Sequence, residues 1–84
     1  MNKDERLSQR DLQKAIGINI QRYRKEQKWT QAELSERTGI SHIGAVERGE
    51  CNISLKTMLA LANVFSITLE ELIRADKASK TSIS

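Results

Sequence analysis

Histidine and cysteine, the side chains best suited to nucleophilic and metal chemistry, occur once each in the chain, at His42 and Cys51. A zinc site takes three or four such ligands, and an activated nucleophile needs a base beside it. Neither residue has that company. No pair of carboxylates sits among neighbours that would drive their proton affinities apart, as acid–base catalysis requires. An enzyme, a metal site and a cofactor are therefore not expected. Cys51 reads as a loop residue rather than a redox sensor, and one cysteine makes no internal disulfide.

The chemistry that remains is charge and hydrogen bonding. The net charge is +3. Residues 14–48 carry Lys14, Arg22, Arg24, Lys25, Lys28, Arg37 and Arg48 against Glu26, Glu33, Glu36 and Glu47, and the flanking segments balance, so the whole excess lies in the middle. This is either an ordinary solvated surface or an electrostatic footprint for nucleic acid. The same region holds "TGISHIGAVERGE", Thr38 to Glu50, with glycines at 39, 44 and 49. That run is too glycine-rich for a comfortable helix and too short for a phosphate loop.

These residues must be positioned by helices. The 84-residue chain has no proline, little aromatic content and few strand-forming runs, so it reads as one all-α domain. A chain this short buries only about 60% of its unfolded surface, which favours a partner subunit. Residues 1–10 read as a flexible arm, 11–75 as the folded domain and 76–84 as a disordered tail. Ser8 can cap a first helix whose apolar face is Leu12, Ile16, Ile20 and Tyr23; Gly17 inside it suits the close approach of another helix. Thr30 and Glu33 form a capping box for a second helix of about eight residues, with Trp29 and Leu34 as a hydrophobic staple. Gly39 ends that helix and Gly49 a third. Ser54 caps a fourth, with Leu55, Met58, Leu61, Ala62 and Phe65 on its apolar face. Thr68 and Glu71 box a fifth, with Leu69, Leu72 and Ile73.

Two short helices about a glycine turn suggest a helix-turn-helix. "TQAELSERTGIS", followed by "IGAVERGE" and "NISL", resembles the lambda-repressor-like (Xre-type) helix-turn-helix family. The nearest pattern is that of the controller proteins of restriction–modification systems. "IGINIQRYRKEQKWTQ" is similar to that family's first helix and "LALANVFSITLEELI" to its last two. The resemblance implies a five-helix fold with the helix-turn-helix at helices 2 and 3. It implies a dimeric, sequence-specific DNA-binding regulator of transcription, acting on an operator upstream of its own gene. Leu34, Ile40, Ile43 and Val46 match core positions. Arg24 and Glu47 match an ion pair joining the first helix to the recognition helix; otherwise Arg24 is a phosphate contact or a solvated charge. Gln31 matches a position that meets DNA phosphate, and Lys28 and Arg48 are further phosphate candidates or plain solvated charges.

The resemblance breaks before Ile43. In the family the spacing from the turn glycine to the glycine of "ERG" is about two residues longer. The turn absorbs the difference, or the second helix unwinds its last turn, or two residues of the family pattern are absent from the chain. The recognition helix is expected to begin at or after Ser41 and to keep Ile43 and Val46 inward. Base-reading candidates are then Ser41, His42, Gly44 and Ala45. Serine and histidine can bond base edges or phosphate, and alanine can meet a thymine methyl. Alternatively Gly44 serves helix packing and His42 is a solvated turn residue.

Leu59, Val64 and Ile73 fall off the main apolar faces and are candidates for a homodimer contact, or are scattered surface apolars. Expected partners are a double-stranded DNA operator, a second copy and, as a further candidate, RNA polymerase, but no membrane. The absence of an apolar leader segment points to the cytoplasm. The alternative function is a protein-interaction module, of antitoxin or coactivator type, on the same fold.

Overall fold

Four hydroxyl side chains start four of the helices in the computed structural model, which describes residues 8–74. The helices are α1 (Gln9–Glu26), α2 (Gln31–Thr38), α3 (Ile43–Glu47), α4 (Leu55–Phe65) and α5 (Leu69–Ile73), and the described residues contain no strand. Ser8 accepts from the Asp11 amide, and Ser54 from that of Thr57. Thr30 and Thr68 each close a reciprocal box with the glutamate three residues on. Such caps satisfy amides that have no partner inside the helix. Because the cap is Ser8, residues 9 and 10, expected within a flexible arm, are instead helical. The arm through residue 7 and the tail from 76 lie outside the described residues.

Helices as short as α2, α3 and α5 do not stand alone in water. Each puts at least one side chain into a common core: Leu34 from α2, Ile43 and Val46 from α3, and Leu72 from α5. They pack with Ile16 and Ile20 of α1 and Leu61, Ala62 and Phe65 of α4. Full burial of such a side chain stabilises by about 1.5–3 kcal/mol relative to exposure. Trp29 stacks on Phe65 with ring centroids 6.0 Å apart, so it joins the α1–α2 turn to α4. Leu55, expected on the apolar face of α4, is instead exposed, since the core reaches that helix only from its second turn.

A close backbone approach and a buried amide help to fix α1 against α3 and α5. A Cβ on Gly17 would lie 2.5 Å from the Glu47 carbonyl oxygen and 2.6 Å from that of Val46, so α1 lies directly on the backbone of α3. Asn19 is buried, and its amide donates to the carbonyls of Leu72 and Arg74, each at 2.7 Å. Those are carbonyls at the end of α5 that the helix itself leaves without a donor.

Candidate nucleic-acid interface

The turn between α2 and α3 is held by hydroxyls. Gly39 is left-handed (φ 81°), and its amide bonds the Ser35 carbonyl at 2.8 Å. The Ser35 hydroxyl donates to the Ile40 carbonyl at 2.6 Å. Thr38 donates to the Leu34 carbonyl and accepts from the Ile40 amide. The chain is thereby reversed before Ser41. His42 sits at the N-cap of α3 with no capping bond from its side chain, and Ile43 and Val46 are buried at 2% and 0% exposure. α2 spans eight residues, the length expected for it, and α3 only five, so the second helix is not unwound at its end. Turning α3 by the roughly 200° that two helical residues represent would have brought its buried pair to the surface.

Behind α3 lies a buried ion pair. Arg24 Nε donates to Glu47 Oε2 at 2.6 Å, and its Nη2 to Oε1 at 3.1 Å. The Arg24 Nη1 group donates to the Trp29 carbonyl at 2.8 Å. The side chains are 11% and 2% exposed. A two-bond fork of this kind fixes angle as well as distance. It locks α3 to α1 and, through Trp29, to the end of the α1–α2 turn. Gln31, first residue of α2, adds a third contact, its amide donating to Glu47 Oε1 at 3.0 Å. Sequence reading gave Gln31 to phosphate alone; no periodicity signals a bond across sixteen residues.

The outward side of α3 is small and polar. Ser41 and His42 are exposed, and Gly44 and Ala45 half-buried. A Cβ on Gly44 would stand 3.3 Å from the Arg48 guanidinium and 3.4 Å from the Gln31 amide oxygen. Gly44 thus packs against side chains, and the helix-on-helix glycine is Gly17. The structure brings Gln31, Gly44, Glu47 and Arg48 together. Lys28 is exposed in the preceding turn, with a left-handed backbone (φ 63°).

Arg48 is exposed and bonded to Glu50 at 3.0 Å. That hydrogen bond, with the charge of the carboxylate, holds the guanidinium pKa above its ordinary value. Exposed pairs of this kind exchange readily for other partners. The start of α2 presents first-turn amides without intrahelical acceptors, a setting that favours anions.

The candidate dimer residues do not share one face. Leu59 and Val64 are about 140° apart around α4. Val64 and Ile73 are half-buried against the core. Leu59 instead lies one turn from Leu55, and the two are 46% and 60% exposed. That pair is the exposed apolar stripe of α4.

A helix-turn-helix family model matches residues 20–72. Over 65 residues, 75% of the chain, the sequence is 34% identical to an uncharacterized HTH-type transcriptional regulator, y4dJ, of Sinorhizobium fredii, covering 84% of that protein. It is 31% identical over the same length to the control protein C.SmaI of Serratia marcescens, covering 77% of it. The crystal structure of the restriction–modification controller protein C.AhdI from Aeromonas hydrophila superposes with a TM-score of 0.68 at 34% identity. That match covers 74% of this chain and 96% of that one. A hypothetical transcription factor from Neisseria shares the fold, with a TM-score of 0.80 at 23% identity over 89% of this chain and 88% of that one. With a helix-turn-helix built from α2 and α3 and relatives of this kind along most of its length, the chain belongs to the helix-turn-helix family and is a DNA-binding regulator of transcription.

Proposed function

We propose that the protein is a homodimeric controller of a restriction–modification operon, binding an operator upstream of its own gene in the cytoplasm. The observation that carries this reading is the position of α3. Its apolar side is locked by Ile43, Val46 and the Arg24–Glu47 fork, and its small outward side is flanked by Gln31 and Arg48. Ser41, His42 and Ala45 read base edges in the major groove, and Gly44 lets the backbone come close. Gln31, Lys28 and Arg48 contact phosphate. The likeness to proteins named as controllers supports the choice of operon. Leu55 and Leu59 offer the apolar stripe for the second copy, and RNA polymerase is a further partner for a regulator of this class.

The five-residue recognition helix favours a second reading, a protein-interaction module of antitoxin or coactivator type, since so few side chains remain for base reading. Titration against duplexes selected from a randomised pool, and against scrambled duplexes, separates the two. Selective binding that weakens steeply with salt supports the regulator. Equal affinity for both duplexes, or none, supports the interaction module.

A further inference from the structure

Beyond the end of α3 lies an open polar groove lined by Arg10, Gln13, Lys14, Arg48, Gly49 and Glu50. Its walls are built as one unit. Gly49 is left-handed (φ 72°), and a Cβ there would meet Lys14 Cγ at 2.8 Å and Lys14 Cα at 2.9 Å. Only glycine lets the α3–α4 loop lie on α1 at this point. The Gln13 amide fastens that loop, donating to the Cys51 carbonyl at 2.9 Å and toward that of Gly49 at 3.4 Å. Three cations therefore face the groove from two elements held in fixed register. Among the described residues neither Arg10 nor Lys14 has a hydrogen-bonding or ionic partner for its side chain. The one carboxylate, Glu50, is engaged with Arg48.

We propose that this groove is a second backbone clamp, in which Arg10 and Lys14 hold phosphates of the duplex strand that continues past Arg48. The inference rests on the DNA-binding reading above. Continuity favours the sugar–phosphate backbone as occupant, because Arg48 belongs both to this groove and to the cluster beside Gly44. Spacing agrees. Arg10 and Lys14 are one helical turn apart, about 6 Å of rise, close to the roughly 6.8 Å that two successive phosphate steps of about 3.4 Å cover along the duplex axis. Glu50 acts as a placeholder. A phosphate entering the groove takes its position on Arg48, and the displaced carboxylate opposes the clamp.

Variants of the full chain test this: Arg10→Gln, Lys14→Gln, the two combined, and Glu50→Gln, each checked for an unchanged melt. On a selected duplex, each lost phosphate contact should make the log–log salt slope shallower by about 0.9 per protomer. Between about 50 and 200 mM salt, the double variant Arg10→Gln/Lys14→Gln should then lose about 12-fold less affinity per protomer than the wild type. Glu50→Gln should bind more tightly than wild type, a gain that misfolding cannot imitate. Neutral methylphosphonates placed one at a time along the duplex locate the contact. At the clamped phosphates they should weaken the wild type but not weaken the double variant further. An unchanged slope in the double variant, additive effects at every phosphate, or weaker binding by Glu50→Gln would overturn the clamp while leaving the regulator reading intact. A wild type that binds no duplex would overturn both.

Discussion

Gly17→Ala sets two known effects against each other. Alanine in a helix interior is favoured over glycine by about 1 kcal/mol, so an exposed site would gain stability. Here the new methyl would stand 2.5 Å and 2.6 Å from two backbone carbonyl oxygens. An ordinary carbon–oxygen contact begins near about 3.3 Å, so α1 and α3 must separate by about 0.8 Å. Overpacking costs about 1–3 kcal/mol, and because the obstacle is helix backbone rather than a flexible side chain, the upper part of that range applies. The net expectation is a loss of about 1–2 kcal/mol. At about 4–8 °C per kcal/mol for a domain of this size, the midpoint should fall by about 5–15 °C. The same separation would stretch the 3.1 Å arm of the Arg24–Glu47 fork beyond hydrogen-bond length. DNA affinity should therefore fall further than the unfolded fraction explains. Thermal melts of Gly17→Ala beside Ile18→Ala, at an exposed neighbouring position, provide the assay. A Gly17→Ala protein melting at or above the wild type would refute the close approach of the two helices.

Glu47→Ala should cost about 3–5 kcal/mol, because Arg24 stays buried after losing both arms of its fork. The paired change to Met at both sites should recover part of this, and a double-mutant cycle without coupling would dissolve the pair. Inserting two residues between His42 and Ile43 should lengthen the front of α3 and sharpen base discrimination by about 1–3 kcal/mol per added contact. If the inserted form unfolds while the 84-residue chain reads its site normally, the short helix is sufficient as it stands. Leu55→Lys with Leu59→Lys should lower the sedimentation mass and the DNA affinity together; an unchanged dimer would exclude that stripe.

What was legible in the sequence was local or periodic. The Thr30–Glu33 and Thr68–Glu71 boxes lie within one turn, so residue type and spacing specify them completely. The inward direction of Ile43 and Val46 was legible through the resemblance, whose core positions they match, and both are buried. The Arg24–Glu47 pair was legible only through the resemblance, since its partners are 23 residues apart. The Gln31 bond to Glu47 and the Asn19 bonds to the end of α5 had no signal at all. Both are polar contacts made across the core after the helices dock. Leu55 was misplaced because a stripe of apolar residues shows which side chains share a face, not how far the facing element extends. The basic groove was hidden for a related reason. Arg10 lies in a segment whose charges balance along the chain, and only folding brings it beside Arg48.

The central claim, that the outward side of α3 lies in the major groove, is tested most directly by chemical protection of a selected duplex. Dimethyl sulfate methylates guanine N7, which lies in the major groove, and adenine N3, which lies in the minor groove. Bound protein should protect guanine N7 in two half-sites about one helical turn apart. Adenine N3 between them should stay reactive, and Ala45→Glu should abolish the protection. Protection confined to adenine N3, or guanine N7 protection that survives Ala45→Glu, would contradict the placement of α3.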